Sequence, residues 1–222
     1  MIALLVCAAA VEGSAELLGR LSVDADLVIA VDGGGELCRD ADVVPDMLVG
    51  DFDSISSEVV DELARAGVRI HQFPAEKDET DLELALAEAR RAGADRVVVT
   101  AAFSGRLDHT LGALAALTSA ADLRPRLAEP DMSGWILAGE SRREITLTGR
   151  DATVSIVPLG GTATVSASGV RWPLQLADMS PQSTLGISNR ITAPEGARIT
   201  VYAGTIAVIS ASVATRPARE TL

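Results

Sequence analysis

The sequence predicts an α/β N-terminal domain with a parallel sheet, followed by a C-terminal antiparallel β-sandwich domain. Over residues 1–123 apolar runs alternate with helical patterns, which is typical of parallel strands that helices cover on both faces. Over residues 124–213 the runs become short and β-branched, with glycine and proline between them. Residues 214–222 carry no such pattern, and we expect them to form a tail.

Five strands are expected in the first domain, because five runs are rich in Val, Ile and Leu with little polar alternation. They are Ile2–Ala8, Leu27–Val31, Asp46–Gly50, Val68–Phe73 and Arg96–Ala102. The clearest helix begins at Thr80, where Thr80-Asp81-Leu82-Glu83 fits a capping box, and it ends at Gly93. Two further helices are predicted, from about Ser57 to Ala66 and from Asp108 to Ala121.

Six short strands are expected in the second domain, after a junction over Arg124–Gly134. Glycine and proline punctuation, including Pro158–Gly161, is expected to separate them. They are Trp135–Ala138, Glu144–Leu147, Thr153–Val157, Thr162–Ala167, Arg198–Tyr202 and Thr205–Ile209.

The composition restricts the binding partners and the cellular compartment that we expect for this protein. A net charge of −12 and only 3% aromatic residues argue against nucleic acid, which needs a basic or a stacking surface. The two cysteines, Cys7 and Cys38, lack zinc-ligand spacing, and we expect buried free thiols of a cytoplasmic protein. The apolar start, Met1–Ala8, lacks a basic leader and is too short to span a membrane, so it predicts a strand and no membrane partner.

Acidic residues follow four successive predicted strands of the first domain. Because the carboxyl ends of parallel strands meet at one edge of the sheet, we expect these side chains to lie close together. Such carboxylates repel one another unless a divalent cation neutralises them, and Mg²⁺ binds a few carboxylates together with phosphate oxygens. The pattern therefore indicates Mg²⁺-dependent phosphate transfer. The residues are Asp32, Asp51, Asp53, Asp78, Asp81 and, with Arg106, Asp108.

Two of these clusters have other interpretations when each is taken alone. Asp32-Gly33-Gly34-Gly35 offers backbone N–H groups to a phosphate, but it is more simply a tight strand-to-helix turn. Asp51-x-Asp53 is similar to the nucleophile loop of haloacid-dehalogenase-type phosphatases and to the DxD of some glycosyltransferases, or it is a pair of solvated acids. No GxxxxGK[ST] is present, so a P-loop is excluded.

Other candidate residues also have structural alternatives. Thr80 and Asp81 suit the cap and first turn of a helix as well as a ligand site. Arg106 suits a bidentate phosphate contact or an ordinary surface position, and Asp108 suits an N-cap. Trp172 suits the core or a platform for a flat cationic ligand.

Taken in order, the clusters resemble four motifs of the thiamine pyrophosphokinase family. These are an Asp-Gly-Gly turn, a Pro-Asp followed by Gly-Asp-Phe-Asp-Ser, a Lys-Asp-x-Thr-Asp and a Gly-Gly-Arg-x-Asp-His. Here they read Asp32-Gly33-Gly34, Pro45-Asp46 with Gly50-Asp51-Phe52-Asp53-Ser54, Lys77-Asp78-Glu79-Thr80-Asp81 and Gly105-Arg106-Leu107-Asp108-His109. Weaker counterparts follow at Gly169–Leu174 and Ser188-Asn189, so the likeness spans nearly the whole chain.

The resemblance implies transfer of a pyrophosphoryl group from ATP to the thiamine hydroxyl, with release of AMP, in a homodimer with shared active sites. Mg²⁺ would be held by Asp51, Asp53, Asp78 and Asp81, which with Arg106 form the catalytic set. ATP and its phosphates would contact Asp32, Gly33, Gly34, Ser54, Lys77, Thr80, Arg106, Asp108 and His109. Thiamine would contact Trp172, Ser188 and Asn189.

The chain departs from the family pattern at the nucleotide end of the expected site. Ala101 and Ser104 stand where the family has glycines, Ala113 stands where it has asparagine, and Ala8–Ala10 lacks the usual Asn-Gly. These departures leave the nucleotide preference open. Two alternatives also remain, a related pyrophosphokinase acting on a pterin alcohol and a non-catalytic protein that binds thiamine or its diphosphate.

Overall fold

The structure is a computed structural model that describes residues 1–103, 105–139 and 143–211, and the backbone of 216–221. It forms two compact units, Met1–Pro130 and Asp131–Leu222. The boundary follows Pro130 and not residue 123, because a further strand completes the first unit. Ser104, one of the family departures, lies outside the described residues.

The first unit is a parallel sheet with helices between successive strands, as predicted. The strand order is β6-β5-β1-β2-β3-β4, and every pair in it is parallel. The elements are β1 (Ile2–Val6), α1 (Ser14–Ser22), β2 (Leu27–Val31), α2 (Gly34–Asp40), β3 (Met47–Gly50), α3 (Ser57–Arg65), β4 (Arg69–Gln72), α4 (Asp81–Arg91), β5 (Arg96–Thr100), α5 (Leu107–Ser119) and β6 (Arg126–Glu129).

Each predicted strand and helix of the first domain is present, with ends that differ from the prediction by at most two residues. The central strand β2 is buried throughout, which explains its unbroken apolar run. At α4 the capping box is confirmed, since the side chains of Thr80 and Glu83 each bond to the other residue's backbone N–H. The strand β1 lies between β2 and β5. After β1 the chain adds β2, β3 and β4 on one side and then β5 and β6 on the other side, so the direction of winding reverses at β1. Ligands of such sheets bind outside the carboxyl ends of the strands at this reversal.

The second unit consists of antiparallel strands, as predicted, but four of the expected short strands are two long ones. The elements are β7 (Met132–Ala138), β8 (Arg143–Thr148), β9 (Thr153–Ser168), β10 (Leu174–Met179), β11 (Asn189–Arg190), β12 (Ala197–Ser210) and β13 (Arg216–Thr221). Pro158–Gly161 therefore lies within β9 and does not separate two strands. In β12 the pairing shifts register beside Ala203 and continues, and Gly204 has a φ of 75°. Glycines here mark bulges that bend a continuous strand.

The two long strands each pair with different neighbours along their two halves. One half of β12, Arg198–Val201, pairs with β8, and the other half, Thr205–Ser210, pairs with β7, while β9 follows β12 along both halves. The buried side chains of these strands form one core that includes Leu137 of β7 and Ile145 of β8. This is the predicted sandwich.

The structure can be compared with the expectations for the C-terminal residues and for the two cysteine thiols. Residues 216–221, which we expected in a tail without regular structure, form β13 beside β8. Cys7 and Cys38 are buried free thiols, and burial raises the pKa of each to about 12. No helix in the described part of the chain is long and apolar enough to cross a membrane.

Candidate active site

Three carboxylates meet at the carboxyl edge of the parallel sheet. Asp32 follows β2, and Asp51 and Asp53 follow β3; each offers an oxygen within 4.8 Å of the other two. They meet because β2 and β3 are paired in register, with Val31 beside Val49. The strand pattern grouped Asp32 with the acids that a divalent cation would neutralise, whereas the family resemblance assigned it to the phosphates and not to the metal set.

Close approach of these loops depends on a glycine. A Cβ at Gly50 would lie 2.9 Å from Cβ of Asp32 and 3.1 Å from its Cα, closer than side-chain atoms tolerate. Asp32 itself has a φ of 46°, a left-handed conformation that aspartate adopts more readily than bulkier residues. The end of β3 therefore carries glycine so that Asp32 can reach the cluster.

Asp32 has the features of a metal ligand. Its side chain is in a residue only 7% exposed, and Oδ1 is buried without a hydrogen-bond partner among the described residues. Burial raises the pKa of Asp32, and the charges of Asp81 and Asp53 add to this, although the nearby Ser54 side chain and the Gly33 backbone oppose it. A buried, unpaired carboxylate oxygen beside other acids is costly unless a cation binds it. The donor set of hard oxygens fits Mg²⁺.

Lys77 connects the cluster to a fourth acid. Its Nζ lies 3.3 Å from Oδ2 of Asp51 and 3.1 Å from Oδ1 of Asp81. Burial raises the pKa of Asp51, but hydrogen bonds from the Asp53 N–H and the Lys77 ammonium outweigh it, so the pKa lies below its ordinary value. Burial lowers the pKa of Lys77, yet its bonds with Asp81 and Asp51 raise it overall. The described contacts thus join Asp81 to the cluster through a cation, whereas Asp78 is exposed in the turn before α4.

The glycine turn after Asp32 has a packing role. A Cβ at Gly34 would collide with the Val6 carbonyl oxygen, and a Cβ at Gly35 would collide with Ile55. Gly34 therefore lets the start of α2 approach the end of β1, and Gly35 lets it pack against Ile55 in the loop after β3, in agreement with the interpretation as a tight turn. A phosphate role for Gly33 and Gly34 stays a prediction.

Arg106 is paired within its own loop. Its Nε and Nη2 donate to the two oxygens of Asp108 at 3.2 and 2.6 Å, and both side chains are exposed. Hydrogen bonds from Arg106 lower the pKa of Asp108 to about 2. Arg106 is the N-cap of α5 and Asp108 lies in its first turn, so the alternative of Asp108 as N-cap is wrong. His109 is exposed and donates its backbone N–H to Asp108.

Ser54 and Thr80, the other predicted phosphate contacts, already have partners. The Ser54 hydroxyl donates to Oδ1 of Asp53 at 2.7 Å and thereby orients that carboxylate. The Thr80 hydroxyl is engaged with Glu83 in the capping box. Gln72, which the sequence did not single out, donates to the backbone carbonyl of Asp51 at 3.4 Å.

In the second unit, Asn189 holds the backbone of Trp172. Its Oδ1 accepts from the N–H groups of Trp172 and Arg190 at 3.1 and 2.9 Å, and its Nδ2 donates to the Trp172 carbonyl at 2.7 Å. Asn189 is 3% exposed, whereas the Trp172 residue is 56% exposed. Asn189 is therefore a support for Trp172, and its amide is already engaged.

The Trp172 ring is exposed, and a neighbouring guanidinium lies over it. The guanidinium carbon of Arg171 lies 5.1 Å from the ring centroid, a cation–π arrangement that occupies one face. Ser188 is exposed with a φ of 56°, and its N–H donates to the Ser155 hydroxyl. Of the core and platform interpretations of Trp172, its exposure favours the platform.

Two family models match the chain in succession. The catalytic-domain model of thiamin pyrophosphokinase matches residues 18–127, and the vitamin B1 binding-domain model of the same enzyme matches residues 142–206. Together they cover most of the chain and divide it as the two structural units do.

Curated relatives agree with these matches. A thiamine pyrophosphokinase of Bacillus subtilis is 29% identical over 172 residues, which are 77% of this chain and 80% of the relative. Thiamine pyrophosphokinase 1 of Oryza sativa is 29% identical over 175 residues, 75% of this chain and 66% of the relative.

Solved structures of similar proteins have the same fold. The Geobacillus thermodenitrificans thiamin pyrophosphokinase is 28% identical, with a TM-score of 0.78 over 96% of this chain and 99% of that one. The Candida albicans enzyme is 16% identical, yet its TM-score is 0.79 over 95% of this chain and 89% of that one.

Proposed function

The chain belongs to the thiamine pyrophosphokinase family, and on that premise we propose that this enzyme transfers a pyrophosphoryl group from Mg²⁺-ATP to the hydroxyl of thiamine. The observation that carries the proposal is the cluster of Asp32, Asp51 and Asp53, with its buried and unpaired Asp32 oxygen. Clustered carboxylates at the carboxyl edge of a parallel sheet suit a complex of Mg²⁺ with phosphate groups.

The acids would hold the metal that accompanies the nucleotide. Asp32, Asp51 and Asp53 are the primary candidates, with Asp81 and Asp78 nearby in the chain segment that begins α4. A bound Mg²⁺ would neutralise these carboxylates and polarise phosphate oxygens. Lys77 contacts both Asp51 and Asp81. When a metal neutralises these carboxylates, the Lys77 ammonium would contact a phosphate oxygen in place of a carboxylate.

Arg106 would bind the charge that develops during transfer. Its guanidinium has the fork geometry that matches two phosphate oxygens, and its present partner, Asp108, is an exposed carboxylate. Because exposed ion pairs contribute little free energy, exchanging Asp108 for a phosphate costs little. The leaving group of the proposed reaction would be AMP. Arg106 would stabilise the negative charge on the transferred pyrophosphoryl group.

Trp172 would receive the acceptor in the second unit. Thiamine carries a flat, positively charged thiazolium ring, and an exposed indole face in a chain of net charge −12 suits such a ring. Asn189 would fix the Trp172 backbone, and Ser188 would line the same end of the sandwich.

We also propose a homodimer in which each active site combines the first unit of one chain with the second unit of its partner. The acids and the Trp172 platform belong to different units, and a two-fold pair would create two equal sites. The two buried, unpaired cysteines support a cytoplasmic location.

The test is an assay of the purified protein with Mg²⁺-ATP and thiamine, in which thiamine diphosphate and AMP are measured together. We expect both products in equal amounts. ADP with thiamine monophosphate would contradict pyrophosphoryl transfer. Turnover of a pterin alcohol in place of thiamine would favour the related pyrophosphokinase, and thiamine binding without AMP would identify a non-catalytic binding protein.

A further inference from the structure

Glu129 is a buried acid that neither the metal cluster nor the phosphate contacts include. It is the last residue of β6 and is 8% exposed. Its Oε1 accepts from the backbone N–H of Ala102 at 2.9 Å, and its Oε2 accepts from that of Ala101 at 3.2 Å. One carboxylate therefore holds two successive N–H groups just beyond the end of β5.

The turn that Glu129 holds is unusual and is fixed from both sides. Ala101 has a φ of 55°, in the left-handed region that alanine rarely adopts. Its carbonyl accepts from the N–H of Ala9, in the loop after β1, at 2.7 Å. Hydrogen bonds with the loop after β1 on one side and with Glu129 of β6 on the other thus hold Ala101 in a backbone conformation that alanine does not favour.

The position of the turn connects it to the chemistry. β5 is adjacent to β1, where the winding of the sheet reverses and ligands bind. A few residues after Ala102 the chain reaches Arg106, the N-cap of α5. Because Arg106 lies only four residues after Ala102 in the sequence, a displacement of the turn is expected to displace Arg106.

We propose that Glu129 is a positioning residue, whose carboxylate holds the Ala101–Ala102 turn so that Arg106 meets the phosphates of the nucleotide. This inference rests on the proposed function. A carboxylate is required because it has two acceptor oxygens for two donors. A glutamine would direct an NH₂ group at one of the N–H groups, and an aspartate, one methylene shorter, would reach only one of them.

The test compares Glu129→Gln with Asp46→Asn in the full-length protein. Asp46 is the matched control because its Oδ2 accepts the Val28 N–H at 2.8 Å at the opposite, amino end of the sheet. In Glu129→Gln we expect faster hydrogen exchange at the Ala101 and Ala102 amides and a kcat lower by about 10- to 100-fold. The KM for thiamine is expected to stay unchanged. Asp46→Asn lowers Tm without lowering kcat.

A double-mutant cycle with Arg106→Ala separates positioning from general destabilisation. If Glu129 acts through Arg106, the double variant has the kcat of Arg106→Ala alone. Multiplied losses, or unchanged exchange at Ala101 and Ala102, overturn the inference. Should Glu129→Gln not fold, Glu129→Asp supplies the same measurements with intermediate effects expected. An inactive wild type would contradict the proposed function, whereas the exchange measurement would still decide whether Glu129 holds the turn.

Discussion

Nζ of Lys77 lies 3.3 Å from Oδ2 of Asp51, so a cation from the chain itself is seated at the acidic cluster. The same ammonium lies 3.1 Å from Oδ1 of Asp81, and the side chains of all three residues are less than a quarter exposed. Lys77 thus offsets part of the repulsion that the acids would otherwise exert in the metal-free protein.

Replacing Lys77 by Met is expected to destabilise the metal-free protein by about 1 to 3 kcal/mol at pH 7, because two partly buried carboxylates lose their partner. The pKa of Asp51 is lowered on folding, so its contribution is present above its ordinary pKa and is lost as the pH falls through the folded value. The pKa of Lys77 is raised, so its contribution is present below its ordinary pKa and is lost as the pH rises through the folded value.

The destabilisation by Lys77→Met is therefore expected at pH values between the folded-state pKa of Asp51 and that of Lys77. It is expected to vanish in strong acid. Thermal unfolding of both proteins from pH 2 to pH 9 is the measurement. Glu79→Gln, in the same exposed turn, is the control and is expected to have no effect. A loss that is as large at pH 2 as at pH 7 would exclude the ion pair as its source.

Asp32→Asn and Asp51→Asn are expected to lower turnover equally but to change stability in opposite directions. Each is expected to cost about a hundredfold or more in kcat at limiting Mg²⁺. Because burial raises the pKa of Asp32, its ionised form is unfavourable when folded, and Asn stabilises the metal-free protein at pH 7 but not in acid. Asp51→Asn instead removes the Lys77 partner and destabilises. Near-normal turnover in either variant would remove that residue from the metal set; Asp61→Asn, exposed on α3, is the control.

Gly50→Ala is expected to displace Asp32. The added Cβ would come within 2.9 Å of the Asp32 Cβ, and we expect a loss of about 1 to 3 kcal/mol together with weaker Mg²⁺ binding. Gly19→Ala in α1 is the matched control, since its Cβ meets nothing within 4 Å, and it is expected to be neutral or stabilising. Unfolding in denaturant and Mg²⁺ titration measure both effects. Unchanged Mg²⁺ binding in a destabilised Gly50→Ala would mean that Asp32 is not a ligand.

Asn189→Ala is expected to release Trp172 from its fixed backbone position. The loss of the three hydrogen bonds is expected to cost about 1 to 3 kcal/mol and to raise the KM for thiamine. Asn189→Asp, which keeps the acceptor but loses the donor, is expected to be intermediate. Steady-state kinetics and unfolding curves are the measurements. A lower stability with unchanged KM for thiamine would show that Trp172 is not part of the acceptor site.

Two inactive variants are expected to complement each other if the sites are shared between subunits. Co-expression of Asp51→Asn with Trp172→Lys places both lesions in one site of the heterodimer and none in the other. Random pairing then restores roughly a quarter of wild-type activity, because half of the dimers carry one intact site. Co-expression of Asp51→Asn with Asp53→Asn is the control and stays inactive. Lack of recovery, although heterodimers are found by mass spectrometry, would place each site within one chain.

Secondary structure was predictable where the determining interactions are local. The capping box at Thr80 depends on four consecutive residues, and the structure reproduces it. The sequence did not predict β6, because Arg126–Glu129 is short and ends in a charged residue. The segment is a strand because it pairs with β5. β9 and β12 were divided in two because Gly and Pro at bulges have the same local signal as turns.

The sequence by itself determined the charges of the site and the edge of the sheet at which they gather, because parallel strands present their carboxyl ends together. Only the tertiary structure decided which atoms pair there. Lys77, in the segment after β4, bonds to Asp51 at the end of the adjacent strand β3, and Asn189 turns inward to hold Trp172. Such pairings depend on the register and burial of segments that are distant in the chain, so no local pattern determines them.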